Sequence, residues 1–283
     1  MKKSLKFFLI SLFLPISFFY THAGNIARII SLGPTLTEQI YLLGEGNKIV
    51  GDTTYCIYPE AAKKKTKVGN VININTEIII ALKPDIILVT DMTDLKQLQT
   101  LKKLGFGKKI IKFSEPASYK DICNQLLKLG KIVGKKTEAL NIVEKSEEKV
   151  KKITQDVEKF PKRKVFVQIG SNPLFAATGG TFINSLIKFA GGINIAEQKS
   201  SGIYSREKVV EEKPAVIIIS NMGNDTQETA KQEWGKFMSI PAVKNKEVYL
   251  VDSYSLCSPN PETFPKVLLE IAKMIHPNLK VKQ

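Results

Sequence analysis

An α/β fold of two Rossmann-like βαβ lobes joined by one long, rigid α-helix is predicted by three features of the 283-residue sequence. Short β-branched runs alternate with helical patterns through both halves, as parallel sheets with crossover helices require. One phrase is written twice, EIIIALKPDIILV from Glu77 and EKVVEEKPAVIII from Glu207, 130 residues apart and with Lys-Pro at the same offset. Between the copies, TEALNIVEKSEEKVKKITQDVEKF over residues 137–160 contains neither glycine nor proline.

The chain opens on Lys2, Lys3 and Lys6, an apolar run from Phe7 to Tyr20 and then Thr-His-Ala. Residues 1–23 are therefore expected to be an export signal cleaved after about Ala23. The apolar run, about 14 residues, is shorter than the roughly 20 of a spanning helix, and Pro15 interrupts it. No cysteine stands near the cleavage point, which argues against a lipoprotein. The rest divides into an N-terminal α/β lobe (24–136), the connecting helix (137–160) and a C-terminal α/β lobe (161–283).

In the first lobe, strands are predicted at Ala27 to Ser31, Lys48 to Gly51, Asp85 to Thr90 and Lys109 to Lys112. Helices fall at Thr35 to Leu43, closed by Gly44, at Asn75 to Leu82 and at Leu95 to Leu104. The second lobe repeats this order: a strand from Lys164 to Ile169, a helix from Phe182 to Phe189, a helix from Glu207 to Glu212, and strands at Ala215 to Ser220 and Glu247 to Val251. A last helix runs from Pro265 to Ile275. In the connecting segment Ala139, Val143, Ser146, Val150, Ile153 and Val157 fall at steps of four and three, an apolar stripe on one helical face. Pro161 is expected to end it, and 24 residues at 1.5 Å rise give a rod of about 36 Å. Such a rod holds two lobes at a nearly fixed separation.

The formal charge of +15 falls to +12 without the three leader lysines. The cations are 39 Lys and 3 Arg, scattered along the chain, whereas nucleic-acid readers rely on clustered charge and on the bidentate guanidinium. A solvated lysine surface and no nucleic-acid partner are the expectation. Cys56, Cys123 and Cys257 stand at wide and irregular spacing, so at most one pair could form and which one is open; buried free thiols are the expectation.

In each copy of the repeated phrase a capping residue, Asn75 or Ser205, stands two positions before the glutamate. The glutamate then sits in the first helical turn, where the dipole favours a carboxylate by about 0.3–1 kcal/mol. That alone accounts for both acids. The symmetry supplies a second reading, in which two carboxylates held at fixed spacing meet a dimeric partner carrying two basic pockets.

The stretches RIISLGPTLTEQIYLLGEGNKIVGDTTYCIYPEAAK, KVGNVININTEIIIALKPDIILV, KRKVFVQIGSNPLFAATGGTFINSLIKFAGGINIAE, YSREKVVEEKPAVIIIS and SIPAVKNKEVYLVDS together resemble the metal-chelate class of periplasmic binding proteins. The likeness spans essentially the whole chain after the leader, and KRKVFVQIGSNPLF and YSREKVV look closest to the cobalamin-binding members. It implies a periplasmic protein, monomeric when free and not an enzyme, that binds a chelate in a cleft between the lobes. It also implies delivery to an ABC permease dimer in the inner membrane, whose two arginine pockets receive Glu77 and Glu207. No cofactor of its own is implied. A corrinoid is the expected ligand, with a ferric siderophore or haem as alternatives.

A corrin or porphyrin needs flat walls and a few polar contacts. Tyr55, Tyr58, Phe175 and Tyr204 are the candidate walls, Asn172 and Asn221 the polar contacts, and Val71 a further lining residue. Cobalamin-binding relatives place tryptophans in several of these loops, whereas this chain has only Trp234, in a segment expected to lie away from the cleft. After the leader one histidine remains, His276, expected to place a charge at a helix C-terminus. That is too few imidazoles for direct capture of zinc or manganese, and no catalytic triad can be assembled around it. Gly44-x-Gly46 lacks the third glycine of a dinucleotide fingerprint. An exported α/β enzyme using Asp52 or Asp91 remains the alternative of a different kind.

Overall fold

The computed structural model describes residues 26–70, 73–220 and 227–280. The first lobe runs β1 (Ile29–Ser31), α1 (Pro34–Leu42), β2 (Ile49–Asp52), α2 (Glu60–Lys63), β3 (Thr66–Lys67), α3 (Thr76–Leu82), β4 (Ile86–Thr90), α4 (Leu95–Leu101), β5 (Ile110–Phe113) and α5 (Tyr119–Val133). Its strands form a parallel sheet in the order β3-β2-β1-β4-β5. β4 shows why: all five of its residues are buried, as a strand covered on both faces by crossover helices must be.

After the connecting helix α6 (Lys136–Val157), the second lobe comprises β6 (Arg163–Gly170), β7 (Phe175–Ala176), α7 (Phe182–Phe189), β8 (Gly192–Asn194), α8 (Arg206–Glu212), β9 (Val216–Ile219), α9 (Gln227–Trp234), α10 (Pro241–Lys244), β10 (Val248–Leu250), α11 (Ser253–Cys257) and α12 (Phe264–Ile275). β6 is central. β9 and then β10 lie parallel on one side of it, while its other edge pairs with β8 in parallel near Arg163 and with β7 in antiparallel near Gly170.

All six residues of the stripe on α6 are buried. The helix spans 22 residues, about 33 Å at the helical rise, and stops before Pro161 because the chain turns at Val157, whose carbonyl accepts from Phe160 N at 2.9 Å. It is a spine embedded in the molecule, packed against α5 of the first lobe and α7 and α12 of the second. One continuous core joins Ile29 and Leu36 of the first lobe through Ala139, Val143 and Val150 of the spine to Val165 and Ile218 of the second. The lobes also meet directly, the Tyr119 ring lying 4.4 Å from Phe264 and Tyr119 N donating to Ser185 Oγ at 3.3 Å. Val150 is a sensitive point: Val150→Asp would bury an unpaired carboxylate in this seam, and loss of cooperative thermal unfolding by circular dichroism is the expected result.

His276 departs from expectation. It is 3 % exposed, its ring lies 5.0 Å from Phe160, and Nε2 is 3.1 Å from Ala190 O. Burial pushes its pKa down, so it serves as a neutral packing residue and not as a surface charge. The three cysteines are free thiols, Cys56 and Cys123 buried and Cys257 partly so.

Candidate functional site

Because the first sheet is wholly parallel, the loops after β1, β2, β4 and β5 open on one edge, where α/β folds place their ligands. The turn from β1 into α1 passes close under β4: a Cβ on Gly33 would stand 2.7 Å from Thr90 Cγ2, so only glycine fits. Thr90 then folds the next loop back on itself, its Oγ1 accepting from Met92 N at 3.2 Å.

The loop after β2 is built around a buried ion pair. Asp52 is fully buried, and Lys67 Nζ donates to its Oδ1 at 2.7 Å, to Cys56 O at 3.1 Å and to Ala62 O at 3.0 Å. One ammonium therefore spends all three protons fastening residues 52–62. Cys56 is held beneath the loop between Thr37 Oγ1 at 3.2 Å and Thr53 Oγ1 at 3.3 Å. Its burial drives Tyr55 and Tyr58 outward, 57 % and 51 % exposed.

In the second lobe, the Gln168 amide acts as a splint. Its Oε1 accepts from Trp234 Nε1 at 2.7 Å and its Nε2 donates to Ser171 Oγ at 3.0 Å, fixing the start of the loop that carries Asn172 on its exposed side. Phe175 pairs with Ile203 across an isolated antiparallel bridge, and both side chains reach solvent, forming an apolar ledge. Tyr204 is not part of it. The ring is 7 % exposed and 5.5 Å from Phe166, and its hydroxyl donates to Ile195 O at 3.2 Å. Its amphipathic ring is spent on the lobe's own core, which corrects its assignment as a wall. Val71 and Asn221 lie outside the described residues.

Two residues beyond the named walls and polar contacts complete the cleft. Tyr254, on α11, brings its ring to 4.4 Å from Tyr58 across the gap between lobes. Its hydroxyl donates to Glu38 of α1, whose other oxygen accepts from Asn260 Nδ2 at 3.3 Å. Burial pushes Glu38 up to about 7 against the pull of these two donors. Beside this contact lies a cavity of about 350 Å³ lined by Glu38, Tyr58, Tyr254 and Ser255, among others. A second, of about 160 Å³, lies between Gly33, Thr90 and Met92 of the first lobe and Cys257 and Ser258 of the second. Tyr254 had a visible signal, an aromatic inside a loop at a strand's carboxyl end. Glu38 had none, because its partners are 216 and 222 residues away.

Each of the chain's three arginines already has a partner. Arg28 donates twice to Leu82 O, at 2.9 and 2.7 Å; Arg163 binds Ile275 O at 2.6 Å and Glu247; Arg206 pairs with Glu233 at 2.6 Å.

The helices carrying Glu77 and Glu207 are duplicates. α3 and α8 have seven residues each; Asn75 Oδ1 accepts from Ile78 N at 3.0 Å and Ser205 Oγ from Lys208 N at 3.1 Å. Each ends on a left-handed lysine, Lys83 with φ 46° and ψ 59° and Lys213 with φ 50° and ψ 59°. Proline follows each and cannot continue a helix. Both glutamates are exposed, flanked by the same alternation of buried and open positions. A crossover helix runs back along the strand it feeds, so both first turns lie towards the carboxyl ends of the strands.

The chain matches the family model described as periplasmic binding protein over residues 29–255. It is 31% identical over 245 residues to the vitamin B12-binding protein of Vibrio vulnificus (strain YJ016), covering 85% of this chain and 87% of the relative. Its fold superposes on a periplasmic heme-binding protein from Pseudomonas aeruginosa with a TM-score of 0.78 and 22% identity, covering 91% of this chain and 95% of that one. The periplasmic vitamin B12-binding protein of Vibrio cholerae superposes with a TM-score of 0.73 and 23% identity, over 89% and 98% of the two chains.

Proposed function

Because the chain belongs to the periplasmic binding protein family, we propose that it captures a corrinoid, a cobalamin-like cobalt chelate, between its lobes and hands it to the permease of an ABC importer. In this reading residues 1–23 direct export and are removed, and the free protein is a monomer in the periplasm that returns its ligand chemically unchanged. Tyr55, Tyr58 and Phe175, joined by Tyr254, are the apolar walls. Asn172, together with Val71 and Asn221, completes the lining, and Glu77 and Glu207 engage two arginine pockets of the permease dimer.

The observation that carries the ligand assignment is the set of exposed rings, beside three arginines that each already have a partner. An anionic siderophore, or haem with its propionates, calls for guanidinium partners. A corrin fringed by neutral amides calls for flat surface and polar contacts of the kind Asn172 offers. The curated relative that is 31% identical carries the name vitamin B12-binding protein, in keeping with this choice.

Mass spectrometry of the protein purified from its native host provides the test. A copurifying corrinoid of unaltered mass is expected. Recovery of haem or a ferric siderophore would replace the ligand, and a chemically altered product would replace the binding reading by an enzymatic one.

A further inference from the structure

The contact between Tyr58 and Tyr254 closes part of the cleft that the ligand is to enter. Glu38 holds it shut from the side. One carboxyl oxygen receives the Tyr254 hydroxyl and the other receives Asn260 Nδ2 at 3.3 Å. Asn260 is itself fixed: it is 5 % exposed, and its Oδ1 accepts from Glu262 N and Thr263 N, both at 3.0 Å. A helix of the first lobe thus grips an aromatic of the second and seats it 4.4 Å from the ring of Tyr58. The adjoining cavity of about 350 Å³ is at the lower end of the range for drug-sized ligands, and a corrin is larger. A macrocycle cannot lie between the two rings while they touch.

We propose that Glu38 is a positioning residue for ligand capture, latching Tyr254 against Tyr58 across the cleft, so that release of the latch admits the flat face of the ligand between the two rings. This rests on the reading that the ligand occupies the cleft between lobes. The spine and the continuous core keep the lobes together, so the movement required is confined to α11 and the turn at Asn260.

The latch has a defined dependence on pH. The titratable and charged groups around Glu38 are Cys56 and Tyr58 of the first lobe and Tyr254, Asp252, Lys266 and Glu270 of the second. Burial pushes the Cys56 thiol and the Tyr254 phenol up, so both stay neutral. Asp252, Lys266 and Glu270 line the same cavity, while the shift of Glu38 is set by burial against the hydrogen bonds from Tyr254 and Asn260. Burial holds Glu38 at about 7 when latched, against an ordinary value of 4.5 to which it returns when released into water. The latched state therefore binds the proton more tightly. Its advantage is complete below the ordinary value and is lost as pH rises through about 7. Between pH 5.5 and 7.5 opening becomes easier on the order of tenfold.

Hydroxyl-radical footprinting of the ligand-free mature protein reads the latch directly, with oxidation of Tyr254 measured against exposed Tyr55. In the wild type the ratio should rise at least about threefold between pH 5.5 and 7.5. Glu38→Gln, which can still accept from Tyr254 but no longer from Asn260 and no longer titrates, should give a ratio that does not change between the two pH values; Glu38→Ala should keep it high at both. A wild-type ratio independent of pH, or a Glu38→Gln ratio that rises with the wild type, overturns the latch. Stopped-flow mixing with cyanocobalamin tests the link to capture, with the association rate expected to follow the Tyr254 ratio across pH and variants. Binding at a rate indifferent to both overturns the role in capture. A pH-dependent Tyr254 without any cyanocobalamin binding leaves the latch standing and overturns the corrinoid reading.

Discussion

In Glu77→Arg/Glu207→Arg, ligand uptake is expected to fall to background, while the affinity for ligand should stay within about twofold of the wild type. The two helices are matched in length, cap, terminal lysine and exposure, and the spine fixes their separation. Two contacts at fixed spacing bind a twofold partner far more tightly than either alone, because the second forms within an already joined complex. Reversing both charges sets cation against cation, and like-charge juxtaposition costs several kcal/mol at an interface. Stability should change little: a cation in the first turn of a helix costs about 0.3–1 kcal/mol, and neither glutamate has a role in the core. Reconstituted transport separates this from the local explanation. If the glutamates only complement helix dipoles, uptake in the double variant stays normal; if they dock, single reversals fall between the wild type and the double.

Lys67→Leu is the variant expected to damage the fold most selectively. Asp52 is fully buried, and removing its cation leaves an uncompensated carboxylate, a loss of about 3–5 kcal/mol. For a chain of this size that corresponds to a fall in Tm of roughly 10 °C. The loop loses its fastenings at Cys56 O and Ala62 O as well, so Tyr55 and Tyr58 lose their fixed positions and ligand affinity falls with the Tm. Asp52→Asn added to Lys67→Leu removes the orphaned charge, and it should restore most of the Tm without restoring affinity. A shift in the single variant below about 2 °C, read by thermal unfolding, would show that the pair holds nothing together.

The parts of this molecule that are local in sequence are also the parts legible in it. The stripe on α6 is visible because its apolar positions recur at helical steps, and the caps at Asn75 and Ser205 lie within three residues of what they cap. Helix α5 has a comparable face, with Tyr119, Ile122, Leu126, Leu129 and Val133 all buried, but Gln125 and Gly130 interrupt it. Both belong there for tertiary reasons. Gln125 accepts from Gln39 at 2.8 Å, and a Cβ on Gly130 would meet Ala139 at 2.5 Å.

The aromatics show the same division within the cleft. Tyr58 and Tyr204 both precede short helices and both stand in loops at strand ends, yet only Tyr58 is open. Phe166 of β6 and the carbonyl of Ile195 claim the ring and hydroxyl of Tyr204. Glu38 reads as one more polar residue on an amphipathic helix until the fold brings Tyr254 and Asn260 against it.

Calorimetric titration of the mature protein with cyanocobalamin, haem and a ferric siderophore, repeated with Tyr58→Ala/Tyr254→Ala, tests capture by the two rings directly. One saturable site for cyanocobalamin, weakened at least tenfold in the double variant with the fold intact, is the predicted result. Saturable binding of haem or the siderophore with none of the corrinoid, or corrinoid binding indifferent to loss of both rings, would contradict it.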